Sequence, residues 1–520
     1  MEYLSPSVNI ANIDYTTNTV NVSTRSAAFV GDFPNGPANQ IVKVTTSQEL
    51  TSIFGRPNDE NYVDLLSAEN FLAYNGSLFV VRSVNDASEN ARDADYVTAA
   101  TTLKVTNYDN FLTQNLTDGT FFARYVGVTG NALKISVADA ASFDAWAYKN
   151  QFASAPDANE LHIVVVDATG VITGTIGTIL ETYQYASTVA GSKDLDGTSN
   201  YYETWINTTS NHIYVTDTPT AGDYQLAGGL HTTPTDGNFQ TSWDMFANSE
   251  ETDTPILFTG ARTTTVSNYV INLAAERNDS IVAVSPELAD VLSNDANRLD
   301  DVLSYRNALG TSTSFGVMDM NWKYYYDRYN DVYRWIPCNS DVAGLMAATT
   351  EAWDSPAGFN RGQLKNTVKL AWNPNKSERD ELYRNNINTV VRFQGDGVVL
   401  YGDKTLQAKP SAFDRINVRR LFNFVNRTMK RTARYVLFDV NDAITRANFI
   451  NMVKPLFEDI KGKRGLIDYE IICDETNNPA SVIDANRLVC TVRLQPTRST
   501  NYIDINIVAD RTSETVVEIL

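Results

Sequence analysis

Strand and helix signals alternate in two separated stretches of this 520-residue chain, and the residues between them do not alternate. In the first stretch, 24–95, Ala27–Val30 reads as a strand followed by the turn chemistry of Asp32 to Pro37. Ser47 opens a short helix with Leu50 and Ile53 inward, stopped by Gly55 and Pro57. Asp64–Tyr74 reads as a second helix and Leu78–Val84 as a strand. From about 254 the alternation resumes, with strands at Pro255–Phe258 and Ile281–Val284 and helices at Val266–Arg277 and Leu299–Ala308. Two such stretches predict one α/β layer interrupted in sequence. The interruption, about 97–240, is dominated by Thr, Gly, Asn and Tyr, with short strands such as Leu161–Val166 between turn signals, and predicts a β-rich insertion.

The last third alternates as well. A helix at Ser377–Asn386 precedes strands at Asn388–Phe393 and Val398–Tyr401, joined across a turn at Gln394 to Gly397. A long helix near 415–433 is followed by a strand at Tyr435–Phe438 and a helix at Ala443–Lys461, in which Pro455 marks a kink or break. Strands near 467–473, 488–494 and 502–508 complete the pattern. At the other end, Val8/Ile10, Ile13/Tyr15 and Val20/Val22 alternate without a helical period. That segment reads as extended, either as an arm or as the first strand of the chain's own sheet.

Charge is segregated. Residues 361–520 hold 25 Lys/Arg against 19 Asp/Glu, whereas the whole chain has a net charge of -20, so residues 1–360 carry the entire acidic excess. An acidic body of this size repels phosphates and argues against a general nucleic-acid binder. No apolar run approaches the roughly 18 residues of a membrane span, and MEYLSPSVNI has no signal-peptide pattern. Three cysteines, Cys338, Cys473 and Cys490, cannot all pair within one chain and suit a reducing compartment.

Catalytic signatures are sparse. His162, His212 and His231 have no metal-ligand spacing, there is no CxxC, and no P-loop, dinucleotide-binding or nucleophile-elbow pattern follows a strand. Asp194 to Gly197 lacks the further ligands of a calcium loop and reads as a polar turn. The aromatic run Asn321 to Trp335 is either a stacking platform for sugars or bases or a hairpin whose rings pack across strands around Asp327–Asp331. Taken as a helix, residues 415–434 place Val418, Leu421, Phe422, Val425, Met429 and Thr432 on one face. Arg420, Arg427, Arg431 and Arg434 fall opposite, with Arg419 and Lys430 beside them. A polar side of one sign suits a docking surface for an acidic partner, with a plain solvated face as the alternative.

These residues carry a resemblance. LSPSVNI, Ala27-Ala-Phe-Val-Gly31, Phe33, Gly36-Pro37, Phe54-Gly55 and Val80-Val-Arg82 are similar to the N-terminal pattern of contractile phage (myovirus) tail sheath proteins. Ala123-Arg-Tyr with Gly130-Asn-Ala-Leu-Lys-Ile135 resembles the start of that family's insertion, and Ala275-Glu-Arg277 with Asp279 its α/β layer. Ser355-Pro-Ala-Gly358 with Arg361-Gly362, then Ile416-Asn-Val-Arg-Arg-Leu-Phe422 through Phe438-Asp439 and Asn441-Asp442, resemble its C-terminal domain. Arg493-Leu and Tyr502-Ile follow in the same order.

The resemblance implies a non-enzymatic structural subunit without cofactor, polymerising as stacked hexameric rings around a tail tube and contracting to drive that tube through a host envelope. Its partners would be further copies of itself, a tail tube protein, and baseplate and tail terminator proteins, with no direct nucleic-acid contact and no membrane insertion. It would be made in the host bacterial cytoplasm and reside in the virion tail. The implied fold is a multidomain α+β or α/β chain. Residues 1–23 form an N-terminal arm joining an inner mixed α/β domain at 346–511; 24–95 and 241–345 form a middle α/β domain; 96–240 form a β-rich outer insertion; and 512–520 form a C-terminal arm. Arg419, Arg420, Arg427, Lys430, Arg431 and Arg434 would then face the tube. Val8, Ile10, Ile13 and Tyr15, with Val516, Val517, Ile519 and Leu520, would add strands to neighbouring subunits. A sheath from a tailocin or other non-viral injection system shares this reading, and a virion-associated enzyme acting on carbohydrate is the rival from a different class.

Overall fold

The computed structural model describes residues 23–96, 103–293 and 297–501. Of these, residues 23–435 belong to one compact unit and 436–501 to another. The first is organised by an eight-stranded sheet. Its strands lie in the order Gly397–Tyr401, Ile387–Phe393, Gly316–Asp319, Ile281–Val284, Ile256–Phe258, Ser26–Gly31, Ser77–Arg82, Ile41–Val44. The six inner strands are mutually parallel, and both edge strands pair antiparallel. The predicted α/β layer is therefore present, and strands from both sides of the insertion meet where Ser26–Gly31 pairs with Ile256–Phe258.

A parallel sheet needs cover on both faces, and side chains alternate between them accordingly. On one face Ala27, Phe29, Val80, Phe258 and Ala283 pack against the helices Tyr62–Leu72 and Asn339–Ala348. The Phe29 and Phe258 rings stack there with centroids 4.6 Å apart. On the other face Ala28, Val30, Leu257, Val282 and Met318 meet the helices Asp236–Asp244, Thr264–Arg277 and Arg298–Ala308. Gly344 permits a close approach on the first face: a Cβ there would sit 2.3 Å from the Tyr74 ring. The ring is not free to move aside, because its hydroxyl donates to Asp341 and accepts from the Lys365 amide, both at 2.8 Å. The aromatic run forms a hairpin, Trp322–Asp327 with Val332–Pro337, and Tyr324 packs on Tyr333 and Trp335 across its strands. The cross-strand reading of that run is the one observed.

The insertion is β-rich as predicted. Thr178–Ser187, Glu160–Asp167, Leu133–Ala138 and Gly222–Gln225 form an antiparallel sheet in that order, and Phe121–Ala123 pairs separately with Ile213–Val215. Arg82, fully buried, ties the insertion to the α/β layer by donating to the carbonyls of Phe33, Gly36 and Val126 at 2.7–2.9 Å. Burial pushes its guanidinium down to about 10. His162 lies flat against Phe152, and His231 pairs with Asp32 at 3.1 Å.

Several expectations differ from what is observed. A separate domain beginning at 346 does not match the division of the described chain, because Ile387–Tyr401 completes the eight-stranded sheet and extends that unit to 435. Tyr435–Phe438 is not a strand. A short 3-10 turn covers Arg434–Val436, and Tyr435, Leu437, Phe438, Val440 and Ile444 are exposed; an apolar run alone does not distinguish a strand from an uncovered turn. The helix Ala443–Gly462 continues through Pro455, carried by the buried row Phe449, Val453, Phe457 and Ile460. It packs on the hairpin Leu466–Ile472 with Thr491–Pro496. The proposed strand near 502–508 lies outside the described residues.

Two measurements check this packing. Gly344→Ala is expected to destabilise by about 1–3 kcal/mol through overpacking, despite alanine's better helix propensity, as read by urea denaturation. Asp319, buried at a strand end, accepts from Ser285 Oγ at 2.7 Å and the Asn321 amide at 2.9 Å, yet burial pushes its carboxyl up to about 7. The folded chain therefore holds a proton that the unfolded chain loses near pH 4, and stability falls as pH rises between about 4 and 7. Thermal denaturation should show the wild type losing more stability than Asp319→Asn between about pH 5 and pH 8; equal losses would exclude the effect.

Candidate assembly interface

The longest one-signed feature of the sequence is the helix Ile416–Ala433, which brings all six predicted basic residues along its length and just past its end. Its predicted apolar side is inward: Val418, Leu421, Val425 and Thr432 are buried, and the Phe422 ring meets Phe413 edge-on at 4.8 Å. The opposite side is not left to solvent. Asn417, Arg419, Arg420, Asn423, Arg427 and Thr428 are buried too, so the first turns are enclosed nearly all round.

Each buried arginine has an internal partner. The Arg419 guanidinium sits 4.2 Å from the centroids of both Phe315 and Phe413, and burial pushes it down to about 10. Arg420 donates to Thr349 Oγ1 at 2.8 Å and to the Met346 carbonyl at 2.6 Å. Burial, assisted by the charge of Arg427 and opposed by that of Asp354, pushes it down to about 9. Arg427 donates to the Ser23 carbonyl and to Asp253 Oδ1, both at 2.7 Å.

Towards the helix end the charges are partly exposed and still paired. Arg431 donates to Asp253 Oδ2 at 2.7 Å, so one carboxylate is forked between two turns of the helix. Arg434 donates to Glu250 Oε1 at 2.9 Å, and Lys430 to Ser249 Oγ at 2.8 Å. Side-chain exposure is 6% at Arg427, 35% at Arg431, 48% at Arg434 and 53% at Lys430. The arginine face therefore turns onto the acidic segment 249–253 instead of open solvent. A helical wheel gives relative directions on one helix and is silent about a partner some 180 residues earlier. Asp253 and Glu250 were missed for that reason, although Ser249-Glu-Glu-Thr-Asp253 is a visible acidic cluster in the sequence.

The strand-arm residues Val8, Ile10, Ile13, Tyr15, Val516, Val517, Ile519 and Leu520 lie outside the described residues. Among the described residues no group of His, Cys, Asp and Glu is placed to hold a metal ion, and no helix is long and apolar enough to cross a membrane.

Comparison with known proteins bears on the whole chain. Residues 26–82 match the N-terminal region of domain III of the tail sheath protein Gp18, 248–406 the phage tail sheath central domain, and 408–510 the phage tail sheath C-terminal domain. The chain is similar to the tail sheath protein of Salmonella phage ViI, 31% identical over 98% of this chain and 96% of the relative. It is similar also to that of Enterobacteria phage T4, 30% identical over 98% of each. Among solved structures, a sheath tail protein from Listeria innocua superposes with a TM-score of 0.57 at 11% identity, over 93% of this chain and 97% of the other. The contracted helical sheath of the anti-feeding prophage gives 0.55 at 12% identity, over 98% and 100%. These two establish likeness of fold.

The two acidic residues differ in what they hold, and this is measurable. Asp253→Ala leaves the buried Arg427 without its carboxylate and is expected to cost toward the lower end of about 3–5 kcal/mol, because Asp253 itself is partly exposed. Glu250→Ala removes exposed pairs worth at most about 1 kcal/mol. Urea denaturation of both variants separates the two, and equal costs would mean that the Asp253 fork is not structural.

Proposed function

The chain belongs to the phage tail sheath family, and from that membership we propose that its copies polymerise as stacked hexameric rings around a tail tube and contract to drive the tube through a host cell envelope. It is a structural subunit of a contractile tail, and its relatives are virion tail components. The observation that carries the proposal is similarity along nearly the whole chain, at 31% and 30% identity, to two phage tail sheath proteins.

In this reading the C-terminal part lies innermost on the tube and the β-rich insertion faces outward. The chain ends, 1–23 and 512–520, add strands to sheets of neighbouring subunits. Main-chain bonds of about 1 kcal/mol each, with buried Ile or Val at about 1.5–3 kcal/mol, would hold neighbours together while other interfaces exchange. Contraction would then be the passage between two packings of one sequence, with its energy set at assembly. Of the six basic residues, Lys430, Arg431 and Arg434 retain enough exposure to be offered to an acidic tube, while Arg419, Arg420 and Arg427 hold the helix in place. The remaining partners would be tube, baseplate and tail terminator proteins. A second reading, the sheath of a non-viral injection system, is favoured by likeness of fold to the anti-feeding prophage sheath.

Negative-stain microscopy of the purified protein, with and without its tube protein, is expected to reveal hollow tubes or rings; a monomer at high concentration in both conditions would overturn the proposal. Co-sedimentation with the tube should weaken as salt rises from about 0.1 M to 1 M, where the Debye length falls from about 10 Å to 3 Å. Reversing Arg431 and Arg434 together to Glu should weaken it further. Each exposed pair contributes only about 0–1 kcal/mol, so the loss would become visible through repetition along the tube.

A further inference from the structure

The first unit encloses a buried, hydrogen-bonded set of an amine, a carboxamide and a carboxylate. Asn70 comes from the helix Tyr62–Leu72, Lys323 from the strand Trp322–Asp327 and Asp341 from the first turn of the helix Asn339–Ala348, and all three are 0% exposed. Lys323 Nζ donates to Asn70 Oδ1, to Asp341 Oδ1 and to the Lys365 carbonyl, each at 2.8 Å. Asn70 Nδ2 donates to Ser340 Oγ at 3.0 Å, and the Tyr74 hydroxyl donates to Asp341 Oδ1 at 2.8 Å, so carboxamide and carboxylate are both held in place. Asp341 Oδ2 is buried and has no hydrogen-bond partner among the described residues.

We propose that Lys323 and Asn70 condense into an intramolecular amide, with Asp341 as the acid and base that promotes it, covalently stapling the helix Tyr62–Leu72 to the aromatic hairpin. A nitrogen 2.8 Å from a carboxamide oxygen lies roughly 3–4 Å from its carbon, close to the separation of a near-attack geometry. One proton passes along the 2.8 Å bond from the Lys323 ammonium to Asp341, turning two buried charges into a neutral amine and a neutral acid. The Nζ lone pair then attacks Asn70 Cγ, and the C=O π electrons move onto Oδ1. Asp341 delivers its proton to Nδ2 and takes one from Nζ, so that the Cγ–Nδ2 bond breaks and ammonia leaves. The products are a secondary amide between Nζ and Cγ, one ammonia, and Asp341 in its acid form. Atoms and charge balance without oxidant or co-reactant.

The otherwise unpartnered Asp341 Oδ2 suits that outcome, since a carboxylate left without Lys323's charge would be costly in this enclosure whereas the acid is neutral. Exclusion of water disfavours hydrolysis of the new bond. Residues adjacent to the site in sequence, Glu69 and Asn366, line an open cleft of about 510 Å³ through which ammonia can depart.

Intact mass spectrometry of the full-length protein under denaturing conditions is the test. The expected result is a mass lower than the sequence by one ammonia, together with a tryptic species joining the Asn70 peptide to the Lys323 peptide and no cleavage after Lys323. A mass equal to the sequence overturns the proposal. So does a deficit carried by a linear peptide, such as a succinimide at Asn75-Gly76. Lys323→Met and Asp341→Asn should each restore the full mass, and a deficit that persists in Lys323→Met would also overturn it. Should either variant fail to fold, the wild-type mass and peptide map decide the question alone.

Discussion

The parallel strand Ser26–Gly31, third from one edge of the eight-stranded sheet, has no partner of its own region on one side. Its neighbour there is Ile256–Phe258, reached only after the whole insertion has been made. Antiparallel neighbours can be joined by a tight turn, but parallel ones require a crossover, and here the crossover contains a sheet-bearing insertion. Closing so long a loop costs only slightly more than closing a shorter one, because the entropy grows with the logarithm of length. The insertion is therefore thermodynamically tolerable provided the sheet that receives the returning chain is well covered. Phe29 stacked on Phe258, with Phe71 at 5.4 Å from the same ring, supplies that cover at the seam. Arg82 then links the layer to the insertion, holding the Val126 carbonyl while also binding those of Phe33 and Gly36 in its own layer, a task for which a planar guanidinium with several donors is suited and lysine is not.

The same economy of long-range contact governs the arginine helix. Burying a guanidinium is costly, and the chain offsets that cost in three ways along one helix. Aromatic faces receive Arg419, carbonyl and hydroxyl oxygens receive Arg420, and a carboxylate receives Arg427. Asp253 spans Arg427 and Arg431 and so fixes both the rotation and the depth of the helix against the segment that precedes Ile256. Charge that composition assigns to a surface thereby becomes part of the framework.

Legibility followed the locality of the signal. Apolar runs bounded by turns disclosed Ser26–Gly31, Ser77–Arg82, Ile256–Phe258 and Ile281–Val284 nearly to their ends, and the Thr-rich texture disclosed the insertion. The order of strands was not legible, because adjacency of Ile387–Phe393 to Gly316–Asp319 depends on tertiary packing. Tyr435–Phe438 was misread because four apolar residues in succession look alike whether covered or bare. At the candidate interface the helix carrying the six basic residues was legible, while their environment was not: a one-signed face reads as open to solvent or to a partner until the acidic segment 249–253 is brought against it. The family resemblance carried what local patterns could not, namely that the chain is a tail sheath subunit.

The uncovered run from Tyr435 to Ile444 bears on the life of the subunit before it joins anything. A folded domain normally conceals aromatic and aliphatic side chains of this size, and a contiguous display of them is the feature by which chaperones and proteases distinguish an unfinished chain from a finished one. A copy whose sheet and core are already closed would still carry that mark.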